Sequence, residues 1–197
     1  MNSEKMTVNA RTREPGTKGS TRRMRLEGRL PAVVYGRTTE PVPVSVDPEQ
    51  LAEALTTPFG FNNVFMLEVD GTSHQVMVKE RQFNPIRREL THVDFYVVKD
   101  EQTVSIDVPV ETVGRSVGER LGGRLSVVSR TVKLSCAVKD IPATVPHDVS
   151  NLNVLDSAYI DEMTEPEGCT FIYRNRYPVI RVAKKRGAKV QAGEANA

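Results

Sequence analysis

Apolar and polar residues alternate along most of this chain, the period-two signature of half-buried strands. Met6, Val8 and Ala10 alternate with Thr7, Asn9 and Arg11, and Val42, Val44 and Val46 alternate with Pro43, Ser45 and Asp47. Pro31-Ala32-Val33-Val34-Tyr35 reads as a strand, and residues 65–69 and 74–79 flank Asp70-Gly71, the strongest short hairpin signal available. Residues 90–98 predict a further strand, with Val93 and Phe95 filling the core and His92 and Asp94 sharing the other face. Helical signals are few. Asp47-Pro48-Glu49 places an N-cap before a proline at the first helical position, opening a helix with Leu51, Ala54 and Leu55 on one face. Ser20 or Thr21 reads as the N-cap of a short helix over 21–27, ended by Gly28.

The second half repeats the strand pattern with less helix. Val104, Ile106, Val108 and Val110 alternate with Thr103, Ser105, Asp107 and Pro109, and Val132, Leu134, Cys136 and Val138 do the same. Val179 and Val182 follow more loosely, while Gly122-Gly123 and Asp140-Ile141-Pro142 punctuate as turns. Composition turns acidic near residues 99–102, which marks a domain boundary. The chain therefore reads as mainly β, with one domain over 1–98 and a second, all-β domain over 99–183. From 184 to 197 Lys, Arg, Gly, Ala and Gln dominate without periodicity, predicting a basic, disordered tail.

Charge changes the picture more than overall composition does. The chain of 197 residues has a net charge of only +2, yet residues 1–37 hold nine Lys/Arg against three Asp/Glu. Residues 97–173 reverse the balance with seven against twelve, and residues 174–190 carry seven cations and no acid. A local cationic excess of this kind favours polyanions, which gain affinity by releasing condensed counterions. An apolar content of 39% supports genuine cores, and the two cysteines, Cys136 and Cys169, fit a reducing cytosol. Neither a membrane-length apolar run nor a signal-peptide h-region is visible, so a cytoplasmic, soluble protein is expected.

The basic excess concentrates in Gly16-Thr17-Lys18-Gly19-Ser20-Thr21-Arg22-Arg23-Met24-Arg25. On a helix Arg22 and Arg25 share a face, which Arg29 extends if the turn persists past Gly28. Lys18 sits between glycines whose backbone can approach a phosphate closely. Compensating acids are sparse, so a nucleic-acid contact is favoured over an ordinary solvated face. The segment is not a P-loop, because Thr17 stands where Gly must precede the lysine. His92-Val93-Asp94 admits three functional readings beside a purely structural histidine: a metal site, a nucleophilic triad, or a rigid polar pair that bonds base edges and ribose hydroxyls. No activated Ser or Cys elbow accompanies it, and His74 and His147 lack metal-ligand spacing. Cys136 and Cys169 read as buried and inert. The acids at 162–167 lack the pattern of a calcium loop. No catalytic constellation, metal site, cofactor or small-molecule substrate is indicated.

With Gly-x-Lys-Gly-Ser-x-Arg-Arg-Met-Arg (16–25), Gly-Arg-Leu-Pro-Ala-Val-Val-Tyr-Gly (28–36) and His-Val-Asp-Phe (92–95) in hand, the chain closely resembles the bacterial large-subunit ribosomal proteins that bind 5S rRNA, in their long two-domain form, called CTC or general stress protein. Val108-Pro109-Val110, Gly114, Gly118-Glu119, Gly122-Gly123 and Pro166-Glu167-Gly168 resemble that family's additional domain. The resemblance implies an N-terminal small β-barrel with short helices that grips the loop E region of 5S rRNA. It implies contacts from Lys18, Arg22, Arg23, Arg25, Tyr35, Gln82, His92 and Asp94, other large-subunit components as partners, and a non-enzymatic role on the cytoplasmic ribosome. The chain departs from the family's usual Gly-Asp turn, reading Asn153-Val154-Leu155-Asp156-Ser157 there. Two other functions are compatible with the sequence: a stress-related protein interaction module centred on the acidic domain, and a hydrolase using His92 and Asp94.

Overall fold

A computed structural model describes residues 6–14, 16–37, 39–87 and 89–184. The expected basic tail over 184–197 therefore lies, apart from Lys184, outside the described residues. The chain divides into two compact units, one comprising Met1–Val104 with Cys136–Ala143, the other Ser105–Ser135 with Thr144–Ala197.

The first unit runs β1 (Thr7–Thr12), α1 (Lys18–Leu26), β2 (Leu30–Gly36), β3 (Val42–Val46), α2 (Pro48–Leu55), β4 (Val64–Val69), β5 (Thr72–Asn84) and β6 (Glu89–Val97). The six strands close into a barrel in the order β1-β3-β2-β6-β5-β4. Closure leaves no free sheet edge. Its interior is the inward half of each alternating strand: Val8, Leu30, Val34, Val44, Val46, Phe65, Leu67, Val76, Val93 and Phe95 are all buried. Phe65 and Phe95 meet edge-to-face with ring centroids 5.9 Å apart, and α2 closes the core with Leu51 and Ala54.

Local chemistry explains the connections. Asp47 caps α2 by accepting the Glu49 N–H at 2.9 Å, with Pro48 at the first helical position. Asp70 and Gly71 both take positive φ, 48° and 87°, as a type I′ hairpin requires. Helix α1 begins three residues earlier than the sequence predicts. Ser20 and Thr21 do not cap it: their hydroxyls donate back to the Thr17 carbonyl, at 2.8 and 3.3 Å, from inside the first turn. Thr17 is the N-cap, and Lys18 is the first helical residue rather than part of an open glycine loop. The helix ends in a Schellman motif, with Gly28 at φ 75°, its N–H on the Arg25 carbonyl and the Arg29 N–H on the Met24 carbonyl. That left-handed turn takes Arg29 out of the helical stripe and points its guanidinium to the Ser45 carbonyl, 3.5 Å away.

The second unit is built on β7 (Thr103–Val113), α3 (Val117–Arg120), β8 (Arg124–Val127), β9 (Thr131–Ala137), β10 (Val145–Asp148), β11 (Ser157–Tyr159), β12 (Cys169–Phe171) and β13 (Pro178–Ala183). These form a four-stranded sheet, β10-β7-β9-β12, and a three-stranded sheet, β11-β13-β8. Ile106, Val108, Val132, Leu134, Val179 and Val182 are buried as the alternation predicts. Val138 is buried too, but it opens a short 3-10 turn instead of extending β9. Cys136 and Cys169 are both buried. In the acidic stretch, Arg176 bonds Asp161 at 2.9 Å and Glu162 at 2.6 Å while lying over the Tyr159 ring, and Glu165 accepts the Phe171 N–H.

Leu155 occupies the left-handed region, at φ 77°, with its side chain 61% exposed. A bulky L-residue there costs about 1–2 kcal/mol. Leu155→Gly should therefore stabilise the second unit by about 0.5–1 kcal/mol, after the greater freedom of glycine in the unfolded chain is offset. The check is a higher denaturant midpoint at unchanged slope.

Candidate nucleic-acid interface

Strands β2, β6 and β5 are consecutive in the barrel, so their outward side chains form one continuous face. Tyr35 lies beside Tyr96 in the parallel β2–β6 register, and the two rings meet edge-to-face at 5.7 Å. In the antiparallel β5–β6 register, Gln82 is opposite His92 and Glu80 is opposite Asp94. Directly opposite residues share a face, so Tyr35, Tyr96, Asp94, His92, Glu80 and Gln82 stand together. Val93 and Phe95 alternate inward, buried to 1% and 0% exposure.

The face is hydrogen-bonded so as to leave particular groups outward. His92 Nδ1 lies 2.8 Å from Asp94 Oδ1, with both side chains partly exposed. With the proton on Nδ1, the Nε2 of a neutral imidazole is an acceptor pointing away from the pair. Tyr96 Oη accepts from Gln102 Nε2 at 3.1 Å. Partial burial, then the nearby carboxylates of Asp94 and Glu80 and the Tyr96 hydroxyl, hold the Tyr35 phenol above its usual pKa. Tyr35 therefore stays a neutral donor throughout the physiological range.

Two irregularities in the β5–β6 pairing make this arrangement. Register shifts between Val78 and Glu80, and again between Gln82 and Phe83, where the partner skips from His92 to Leu90. The first is a bulge at Lys79 that turns Glu80 and Gln82 outward, whereas uninterrupted alternation from buried Val76 and Val78 would turn them inward. The second leaves Thr91 without a ladder partner. Its carbonyl instead accepts Nε and Nη2 of Arg25, at 3.2 and 2.9 Å.

Arg25 thus fastens α1 beside β6. The fastening matters because α1 buries no residue, and nine residues are too few to hold a helix in water unaided. Lys18, Arg22 and Arg23 are exposed along it. Arg23 and Arg25 lie in the last turn, where the helix dipole favours cations. The structure brings the basic helix against the strand that carries His92 and Asp94, and the Tyr35 and Gln82 positions onto the same sheet face. Sequence reasoning missed Glu80, the packing of Tyr96 on Tyr35, and the engagement of Arg25 by Thr91. Only Tyr96 had a signal, its two-residue spacing from Asp94. Among the described residues no group of His, Cys, Asp and Glu is arranged to hold a metal ion, and no helix is long and apolar enough to cross a membrane.

Comparison with known proteins covers both units. Residues 7–95 match the model of the Ribosomal L25p family, and residues 103–186 match that of Ribosomal protein TL5, C-terminal domain. A large ribosomal subunit protein bL25 from Anaeromyxobacter sp. (strain Fw109-5) is 41% identical over 94% of this chain and 79% of its own length. One from Rickettsia bellii (strain OSU 85-389) is 32% identical over 96% of this chain and 95% of its own. One from Sorangium cellulosum (strain So ce56) is 33% identical over 94% and 82%. The chain accordingly belongs to the bL25 family of bacterial large-ribosomal-subunit proteins, in a two-domain form.

Proposed function

We propose that this structural protein of the large ribosomal subunit binds 5S rRNA, at its loop E region, through the first unit and without catalysing a reaction. The observation that carries the reading is the fastening of a helix bearing four cations to the β6 strand, whose outward side chains are neutral or acidic. Lys18, Arg22 and Arg23 meet phosphates, as guanidinium and ammonium groups do. Tyr35, Gln82, His92 and Asp94 meet sugar and base edges in the groove between the contacted backbones. Arg25 spends its Nε and one Nη on Thr91, so its contribution is chiefly to place the helix, with the remaining amino group turned to RNA. Within this reading residues 1–98 recognise RNA, and residues 99–183 form a separate module acting among other large-subunit components in the cytoplasm. The His92–Asp94 pair also suits a hydrolase, but both cysteines are buried, and membership of a ribosomal protein family favours recognition.

The test is titration of the full-length protein with 5S rRNA and with a copy whose loop E is replaced by continuous Watson–Crick pairs. Tight binding to the first and a loss of about a hundredfold on the second are expected, since each specific contact contributes about 1–3 kcal/mol. Equal binding to both would refute the loop E assignment.

A further inference from the structure

Glu80 has no role in the reading above, and its position is costly. It stands opposite Asp94 across the β5–β6 ladder, and like charges directly opposite destabilise a sheet. Among the described residues Glu80 has no ion pair, and Asp94 has only the His92 imidazole. The bulge at Lys79 creates this juxtaposition. Without it Glu80 would be turned inward and Lys79 would face Asp94, a favourable pair. The bulge keeps Glu80 and Gln82 out of the core, and in doing so it places two carboxylates together on the nucleic-acid face.

Carboxylates repel phosphates, so this part of the face cannot lie on the RNA backbone. Ionised, they are acceptors only. In its neutral form, with Nδ1 donating to Asp94, His92 offers Nε2 as a third acceptor. Three acceptors side by side require donors. In a minor groove the exocyclic donor is the guanine 2-amino group, which A·U pairs lack, and the ribose 2′-hydroxyl is the other.

We infer that Glu80 and Asp94, with His92 Nε2, form an acceptor site that selects minor-groove donors, guanine 2-amino groups or ribose 2′-hydroxyls, and that Glu80 is a specificity-determining residue of the interface. The raised pKa of Tyr35, to which both carboxylates contribute, places them within electrostatic reach of that hydroxyl. The inference rests on the RNA-binding function proposed above.

The experiment uses the full-length protein and Glu80→Gln and Asp94→Asn variants, with unmodified loop E RNA, with copies carrying inosine for each guanine, and with copies carrying 2′-deoxy residues at the same positions. Inosine deletes only the 2-amino group. The wild type should lose about 5- to 50-fold on at least one substitution, the range of a specific polar contact to a base. Each variant should lose a similar factor on unmodified RNA and then lose nothing further on that substituted copy. A response confined to inosine assigns the donor to guanine, and one confined to the 2′-deoxy copies assigns it to ribose. Glu80→Gln relieves the facing charges, so its melting temperature should not fall, which separates lost binding from lost fold. Glu80→Gln binding unmodified RNA as tightly as the wild type, or equal sensitivity of variants and wild type to every substitution, overturns the inference. Failure of the wild type to bind unmodified RNA overturns the function itself.

Discussion

Replacing Lys18, Arg22 and Arg23 together with alanine should lower affinity for 5S rRNA by about two to three orders of magnitude at moderate salt, while leaving the fold intact. Each charge-assisted contact to a phosphate contributes about 1–1.5 kcal/mol net, and three such losses multiply. The salt dependence should change with the affinity. Every phosphate contact removed flattens the log–log slope by about one unit at most, so the triple variant should flatten it by about two to three. Stability should hold within about 0.5 kcal/mol, because the three side chains are exposed on a helix that buries no residue. The measurement is an RNA titration at several salt concentrations beside a thermal melt. An unchanged slope with weakened binding would mean that these cations act through the shape of the helix, not through phosphates.

Neighbouring residues on β6 should give opposite results. Phe95→Ala should destabilise the first unit by about 3–5 kcal/mol, since Phe95 is fully buried against Phe65 and the barrel cannot collapse around the space left. Set against a total of about 5–15 kcal/mol for a typical domain, that brings the barrel close to unfolding. Asp94→Asn and His92→Ala should leave stability within about 1 kcal/mol, because both side chains lie on the outer face and bond chiefly each other. They should instead lower RNA affinity by about 1–3 kcal/mol without altering the salt slope, as contacts to groups other than phosphate do. Denaturant unfolding and RNA titration on the same variants decide this. Outer-face variants that unfold early and bind normally when folded would make the pair structural.

This contrast on one strand shows how much a linear pattern can carry. Alternation alone placed Val93 and Phe95 inside and His92 and Asp94 outside, because the side-chain period of a strand is two whatever its neighbours do. Asp47-Pro48 and Asp70-Gly71 likewise act through their own φ and hydrogen bonds, so the α2 cap and the β4–β5 hairpin were legible before any tertiary contact was known. The start of α1 was less so. Ser20 and Thr21 are good caps by residue type, but a hydroxyl that can bond Thr17 from within the first turn is compatible with two starting points.

The alternating strands, the basic segment and the outward placement of His92 and Asp94 all follow from residues close together in the chain. The partner each face meets depends instead on contacts between residues far apart in the chain. Barrel closure brings β2 beside β6 and so sets Tyr35 against Tyr96. The two register shifts between β5 and β6 turn Glu80 and Gln82 outward and free the Thr91 carbonyl for Arg25. Neither shift is written in the local pattern, since a bulge forms where two strands of unequal residue count must keep their apolar sides on the same core.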